Sequence, residues 1–315
     1  MSKRAKRTTS AKPVRDWSIE QIGRSIHRIK ANASASNPFW MLVRSDAHHD
    51  STHCDREMER RHLEQAAERG AAVVDIGDLF DAMQGRNDPR RATGGKRSDI
   101  AERAYFDAIT DDAVDFYAPF AHCIALIGIG NHESKIEQHN DIDLTANLTA
   151  RLTERTGHKV CKGGYGGWVI LELQYRSAPG ECSGKRIPYK IRYHHGSGKG
   201  AMMTFGALDS RRMASWLTNA DMVLTGHTHD HMTVPIARET IYGVNGRWEH
   251  RRDEMLFIRC GTYKDEHGDG HSGFAVEKNI GPKPSGAVWL KFTVHRERVG
   301  PRERLSVRCV TERAT

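Results

Sequence analysis

Short apolar runs alternate with longer amphipathic segments along most of the chain. Two segments, 55–70 and 100–120, repeat their apolar positions at helical spacing and predict helices. Strands that alternate with helices are typical of an α/β fold whose sheet is largely buried. The runs that predict strands are 39–43, 71–77, 123–130, 187–193 and 222–226.

The N-terminal region divides into two parts. Residues 1–15 contain six basic and no acidic side chains and few apolar ones, which predicts a disordered arm that binds phosphates non-specifically. In residues 16–36, isoleucines recur every three or four positions between 19 and 29. This spacing predicts an amphipathic helix followed by a linker.

We predict that the remainder of the chain, residues 37–315, forms one domain. After residue 230 the helical pattern fades, and strand-like runs take over through residues 231–315. These runs either complete a second sheet or form a small β cap, and the sequence leaves both arrangements open. They cover residues 255–260, 287–294 and 305–310.

Composition and charge narrow the class of protein. Of the 315 residues, 38% are hydrophobic and 28% are charged, as in soluble globular proteins. No apolar run approaches about 18 residues and none follows the basic N-terminus, so we expect a cytoplasmic protein with no membrane partner. The six cysteines form no CxxC pair, which indicates reduced thiols. The net charge of +8 favours a polyanionic partner such as nucleic acid.

Polar side chains that are able to bind metals follow each of the first five predicted strands. Strand ends in an open α/β sheet meet at one edge, where ligands bind. Any one of these fragments is typical of an ordinary polar turn, but five in succession indicate a shared site. The fragments are SDAH at 45–48, GDLFD at 77–81, GNHE at 130–133, HHG at 194–196 and GHTH at 226–229.

The chemistry of these side chains selects a class of metal. Carboxylate, amide and imidazole groups without thiolates suit manganese, iron or zinc. Seven such groups are too many for one tetrahedral site, so they predict two divalent metal ions, with manganese favoured over iron, zinc or nickel. Two metals roughly 3.5 to 4 Å apart form a clamp for in-line displacement at phosphorus.

The series DAH, GDLFD, GNHE, HHG and GHTH resembles the calcineurin-like metallophosphoesterase superfamily, whose pattern is D-x-H, G-D-x-x-D, G-N-H-D/E, H and G-H-x-H. The resemblance covers residues 46–229, with every block present in order. It implies a four-layer α/β/β/α sandwich with mixed β-sheets and a dinuclear site at the strand ends. It also implies a hydrolase that cleaves phosphoester bonds by in-line attack of a metal-bridging hydroxide.

The resemblance implies a role for each matching residue. His132 would act as a general acid or stabilise charge on the leaving oxygen, with Glu133 orienting it. Asp78 would bridge the two metals, and Asp81 would orient a ligand from outside the metal shell. The first metal would be held by Asp46, His48 and His229, and the second by Asn131, His195 and His227.

Two assignments depend on local features of the chain. His194 and His195 point to opposite faces of a strand, so only one of them faces the metals. We assign His195, because a glycine often follows the family's histidine. Lys199 lies in the segment HGSGKGA, which lacks the spacing of a nucleotide-binding P-loop. We expect Lys199 to contact a substrate phosphate instead.

The substrate is a separate question, because the superfamily that the chain resembles includes protein phosphatases, nucleotide phosphodiesterases and DNA nucleases. The basic arm and a basic stretch after the GDLFD block favour a phosphodiesterase or nuclease that acts on nucleic acid. One alternative is a phosphatase for nucleotides or small phosphomonoesters. Another is a nucleic-acid-binding or scaffold protein with a non-catalytic metal site. The basic stretch comprises Arg86, Arg90, Arg91, Lys96 and Arg97.

Overall fold

Two mixed β-sheets and the helices around them make up the described part of the chain. This computed structural model describes residues 15–83, 97–100, 104–178, 181–198, 207–244, 246–268, 270, 274–299 and 302–315. Each sheet contains both parallel and antiparallel neighbours. The predicted α/β class is therefore confirmed.

Every predicted strand run overlaps an observed strand. Within the described ranges the strands are β1 Ser18–Gly23, β2 Ile26–Ala33, β3 Phe39–Arg44, β4 Ala72–Asp75, β5 Ile124–Ile127, β6 Cys161–Lys162, β7 Gly166–Ala178, β8 Glu181–His194, β9 Met222–Thr225, β10 Met232–Val244, β11 Arg247–Arg259, β12 Ala287–Val299 and β13 Arg302–Ala314. The seven-stranded sheet has the order β1-β2-β7-β8-β9-β11-β10. The six-stranded sheet has the order β13-β12-β3-β4-β5-β6.

The helices begin and end at residues suited to those positions. The Asp55 side chain accepts the backbone N–H of Met58 at the start of the first helix, and Asp143 does the same for Ala146 at the start of the fourth. In the described ranges the helices are α1 Arg56–Glu68, α2 Tyr105–Tyr117, α3 Asn131–Asn140, α4 Leu144–Thr156, α5 Ala207–Trp216 and α6 Phe274–Glu277, with a 3₁₀ turn at Ala118–Phe120.

The amphipathic helix predicted within residues 16–36 is wrong, because these residues form the hairpin of β1 and β2. A helix would have placed four isoleucines on one buried face. The structure buries Ile19 and Ile29 but leaves Ile22 and Ile26 exposed. Alternate residues of β2 are buried instead, and β2 pairs in parallel with β7. This pairing with a distant strand has no signal in the local spacing.

Arg15 is fixed in place, although we predicted that it belongs to a disordered arm. Its guanidinium donates hydrogen bonds of 2.9 to 3.2 Å to backbone carbonyls just before and at the start of β5, and to one before β6. It also lies 4.0 Å above the ring of Trp17. The rest of the predicted arm, residues 1–14, lies outside the described residues. The accepting carbonyls belong to Ala121, His122, Ile124 and Lys159.

Residues 231–315 contribute two strands to each sheet. β10 and β11 extend the seven-stranded sheet beyond β9, and β12 and β13 extend the six-stranded sheet beyond β3. These strands therefore continue the main sheets and do not form a separate cap. The C-terminal region is part of the framework that carries the strand ends discussed below.

Apolar side chains of both sheets pack into one buried cluster. Met41 and Leu290 of the six-stranded sheet meet Leu171 and Ile191 of the seven-stranded sheet there. A second cluster joins the other face of the six-stranded sheet to α1, α2 and α4. A third joins α5 to β9 and β11. Burial on this scale holds the sheets rigid, so the loops at their ends have fixed anchors.

We expect Arg15→Ala to lower the free energy of unfolding by about 2 kcal/mol, because hydrogen bonds from a charged donor stabilise by roughly 1.5 to 3 kcal/mol. Urea unfolding followed by tryptophan fluorescence measures this change. Arg15→Lys is the matched control, because lysine keeps the charge but lacks the several nitrogens with which the guanidinium donates to separate carbonyls. We expect an intermediate loss of unfolding free energy. Equal stability of all three proteins would show that the docked guanidinium contributes nothing.

Candidate metal centre

The loops after five strands meet at one edge of the molecule. Strands β3, β4 and β5 are parallel neighbours, so their carboxyl ends lie side by side. Strands β8 and β9, parallel in the other sheet, end close to them, because His195 Nε2 lies 3.1 Å from Asp78 Oδ2. The structure brings together the seven predicted ligands, Asp46, His48, Asp78, Asn131, His195, His227 and His229.

One group of ligand atoms comes from Asp46, His48 and His229. The Nε2 atoms of the two histidines are 3.2 Å apart, and His229 Nε2 lies 3.3 Å from Asp46 Oδ1. Asp46 Oδ1 is buried, and the ring nitrogen His195 Nε2 also lies near it, at 3.9 Å. A buried carboxylate is costly unless positive charge compensates it, and a metal ion between these atoms would supply that charge. These three residues therefore fit a metal ion.

The second group comes from Asn131, His195, His227 and Asp78. Asn131 Oδ1 lies 2.6 Å from His227 Nδ1 and 3.1 Å from His195 Nε2. An amide oxygen and two ring nitrogens this close repel one another unless a proton or a cation lies between them. Asp78 also belongs to a group with His48 and His132, so it stands between the two sets of ligands.

The outer ring nitrogens of three histidines are bound to acceptors. His48 Nδ1 lies 3.0 Å from Asp81 Oδ1, and His195 Nδ1 lies 3.2 Å from the carbonyl of Ile76. His227 Nε2 lies 3.0 Å from the carbonyl of Gly198. Because these oxygens accept hydrogen bonds, the outer nitrogen of each ring carries a proton and the inner nitrogen faces the centre. Metal-ligating histidines are oriented in this way.

Five of the seven ligands have a left-handed backbone. Residues other than glycine adopt positive φ at a cost of about 1 kcal/mol or more, and such strain concentrates at functional sites. Close packing adds a further constraint, because a Cβ placed on Gly130 would overlap Asp78 Oδ1 and one on Gly226 would overlap Ser45 Oγ. The five are Asp46, His48, Asp78, His227 and His229, with φ between 47° and 72°.

Two ionised carboxylates and one cationic imidazole lie at the centre. Burial lowers the pKa of His195, but Asp78 and Asp46 outweigh it and raise the pKa to about 10. Burial raises the pKa of Asp46, but His229 and His195 outweigh it and lower the pKa to about 2. Burial lowers the pKa of His48 to about 4, so its ring is neutral at neutral pH. Two ionised carboxylates beside a neutral imidazole attract a divalent cation.

His132 lies beside the ligands, as predicted from the motif. Its Nδ1 atom is 2.6 Å from the carbonyl of Asp81, and its Nε2 atom is 3.7 Å from Asp78 Oδ2. The ring is 4.8 Å from the ring of His48. Nε2 therefore faces the centre.

Glu133 binds backbone groups, and its predicted role in orienting the ring of His132 stays a prediction. Its buried carboxylate accepts the backbone N–H groups of Gly130, Asp78 and Phe80 at 2.8 to 3.1 Å. Burial, with Asp78 nearby, raises the pKa of Glu133 to about 7. Glu133 therefore holds the loop that carries Asp78 against the start of α3.

Asp81 contacts His48, one of the predicted ligands, and a lysine holds Asp81 in turn. Asp81 Oδ1 lies 3.0 Å from His48 Nδ1 and 3.1 Å from Lys264 Nζ. Lys264 is almost fully buried and also lies 3.8 Å from Glu266. Sequence reasoning missed Lys264, because it follows the motif region and only the folded chain brings it to Asp81.

Two other predicted residues have their partners outside the group of predicted ligands, and five lie outside the described residues. His194 Nδ1 accepts the N–H of Gly196 at 3.1 Å, and the ring packs on Tyr165, so His195 is the histidine that faces the ligands. Arg97 pairs with Asp99 and Asp112. Lys199, Arg86, Arg90, Arg91 and Lys96 lie outside the described residues.

A buried network of charges lies behind the first ligand loop. Arg44 contacts Glu59 and Asp75 at 2.7 Å, and Glu59 contacts His49 Nδ1 at 2.7 Å. Tyr117 also donates to Glu59. His49 and Glu59 resemble a further metal group, but Glu59 already has these three partners, so they fit an ion pair. The network holds the end of β3, which leads into Asp46 and His48.

Comparison with known proteins adds little. No family model matches the chain, and no curated protein matches it. A solved structure described as GAP50, the anchor in the inner membrane complex of Plasmodium, is similar, with 13% identity over 81% of each chain and a TM-score of 0.35. Similarity this low supports no argument about fold or function. Within the described ranges, no helix has the length and apolar character needed to cross a bilayer.

We expect Mn²⁺ to raise the melting temperature of the protein and Asp78→Asn to lose most of that rise, because Asp78 shares one group of ligand atoms with His195 and His227 and another with His48 and His132. An ion at about 100 times its Kd stabilises the folded state by about 2.7 kcal/mol. Thermal unfolding in EDTA and in Mn²⁺ measures the shift. Asp115→Asn, which changes an exposed pair with Arg155, is the matched control and should keep the full rise. An equal rise in Asp78→Asn would contradict the assigned centre.

Proposed function

We propose that this chain is a metal-dependent phosphoesterase of the calcineurin-like type, with its layers arranged as a four-layer α/β/β/α sandwich. One observation carries the proposal: inward-facing nitrogens and carboxylate oxygens form adjacent groups that are linked by His48 and Asp78. The outer nitrogens of three of the histidines are already bound to acceptors, as in metal-ligating histidines. We propose two divalent ions there, with manganese favoured.

The residues around the ligands suit hydrolysis at phosphorus. When bound, two divalent metals would polarise the phosphoryl group and activate a water for in-line attack. The Nδ1 proton of His132 is held by the carbonyl of Asp81, which leaves Nε2 facing the centre. As the phosphorus–oxygen bond breaks, the leaving oxygen takes the electron pair and the Nε2 proton of the imidazolium. The ring is then neutral and is protonated again from water.

We propose nucleic acid as the substrate and the cytoplasm as the compartment. The net charge of +8, most of it carried by the first 15 residues, supports a polyanionic substrate. Five cysteines in the described ranges are free thiols, which suits a reducing compartment. A phosphatase for nucleotides or small phosphomonoesters is the other activity that the same centre would support.

We expect the wild-type protein to cleave end-labelled single- or double-stranded DNA with Mn²⁺, and Asp78→Asn to lose more than about 100-fold of that rate. The estimate follows because changing even a residue outside the metal shell costs 10- to 100-fold. Asp115→Asn should cleave like the wild type. Cleavage of small phosphomonoesters but not DNA would favour the phosphatase. Equal cleavage by wild type and Asp78→Asn would refute the proposed centre.

Deletion of residues 1–14 removes five basic side chains and keeps the docked Arg15. We expect DNA binding to weaken and the slope of log K against log salt to become less steep by about 4, because each phosphate contact contributes about 0.9. The kcat for bis(p-nitrophenyl) phosphate should not change, because the centre is intact. Unchanged DNA binding and cleavage would show that the arm has no part in the activity.

A further inference from the structure

We propose that Asp50 is a positioning residue for His132, acting through the peptide bond that joins Asp81 and Ala82. This inference rests on the proposed function, in which His132 protonates the leaving oxygen. Asp50 itself touches none of the seven ligand side chains by a hydrogen bond within the described chain. It lies two residues beyond His48, outside the metal-binding pattern.

The carboxylate of Asp50 is buried and accepts three hydrogen bonds. Oδ1 accepts the backbone N–H of Asp81 at 2.6 Å, and Oδ2 accepts the N–H of Ala82 at 2.9 Å. Oδ2 also accepts the hydroxyl of Tyr105 at 2.7 Å. Two successive backbone N–H groups are thus fixed by one side chain, which is only 3% exposed.

The geometry of the peptide bond carries this restraint to His132. A trans peptide is planar and its C=O and N–H groups point in opposite directions, and no cis peptide occurs in the described chain. By binding the N–H of Ala82, Asp50 therefore aims the carbonyl of Asp81 away from itself. That carbonyl lies 2.6 Å from His132 Nδ1.

The peptide bond needs such a restraint, because Ala82 has a φ of 50°. A residue with a Cβ adopts this conformation at a cost of about 1 kcal/mol or more, and keeps it only where neighbouring contacts impose it. The two hydrogen bonds that Asp50 accepts are such contacts. Without them the peptide is free to rotate and withdraw its carbonyl.

The carbonyl of Asp81 decides which nitrogen of His132 faces the centre. A carbonyl oxygen only accepts, so Nδ1 must carry a proton and Nε2 is the atom presented toward Asp78. Transfer of a proton to the leaving oxygen needs Nε2–H in that position. If the carbonyl moves, the ring loses the contact that fixes its orientation, and proton transfer is impaired while metal binding remains.

Asp50→Asn tests the inference with little change of shape. It replaces one acceptor oxygen by an NH₂ group, which cannot accept the hydrogen bonds that the backbone N–H groups or Tyr105 donate. We expect its kcat for thymidylyl-thymidine, whose leaving alkoxide needs a proton, to fall by about 100-fold, the lower range for general acid catalysis. Its kcat for bis(p-nitrophenyl) phosphate should change little, because the leaving nitrophenolate needs no proton. In a His132→Gln background, Asp50→Asn should lower neither rate further.

Three other measurements separate positioning from folding. Asp143→Asn is the matched control, because Asp143 also accepts a backbone N–H, at the start of α4, and it should affect both substrates alike. Tyr105→Phe removes one of the three donors to Asp50. We expect a smaller loss of kcat, again selective for thymidylyl-thymidine. This variant therefore tests the positioning role if Asp50→Asn does not fold. Calorimetry with Mn²⁺ should give similar Kd values for Asp50→Asn and wild type.

Nitrogen-15 NMR of labelled histidines provides a test that does not depend on activity. We expect a slowly exchanging Nδ1–H signal for His132 in the wild type and its loss in Asp50→Asn. An unchanged signal, an equal loss of rate on both substrates, or a further loss in the His132→Gln background would overturn the inference. If the wild type hydrolyses neither substrate, the proposed function fails, and the NMR signal alone decides whether Asp50 positions His132.

Discussion

Two buried carboxylates, Asp46 and Asp78, lie close together at the candidate metal centre, and the contacts around them keep both in the ionised form. Like charges in a poorly solvated place repel strongly, so each needs compensation. His195 lies within 4 Å of both, and the N–H groups of His227 and His132 donate to them. A cation held between the two carboxylates would compensate the negative charge that these contacts leave.

Holding these side chains in place requires support from parts of the chain that are far apart in sequence. Arg44 and Glu59 brace the end of β3, and Glu133 braces the loop after β4. Lys264, which follows β11 in the chain, holds Asp81 in place through an ion pair. Buried ion pairs stabilise a fold only weakly, but breaking one is strongly destabilising, so they restrict the positions that their partners can adopt. Rigid surroundings of this kind are what a preorganised centre needs.

The sequence was sufficient for those parts of the structure that depend on local pattern. The strand runs overlap observed strands, and the seven proposed ligands come together because parallel strands end at one edge. Prediction failed where a distant partner decides the outcome. The isoleucine spacing of residues 19–29 fits a helix, but pairing with β7 makes it a hairpin. Nothing near Lys264 or Glu59 in sequence indicates the side chains that they meet, and Glu133 binds backbone groups that the motif does not mention.

The left-handed backbone of the ligands limits how this centre can be altered. Aspartate, asparagine, histidine and glycine are the residues that tolerate positive φ best, and five ligand positions already use members of that set. An attempt to redesign the centre for a softer metal by introducing cysteine, or to lengthen a ligand with glutamate, would change the backbone as well as the donor atom. Conformational preference therefore narrows which donor atoms these positions can present, before coordination chemistry has any effect.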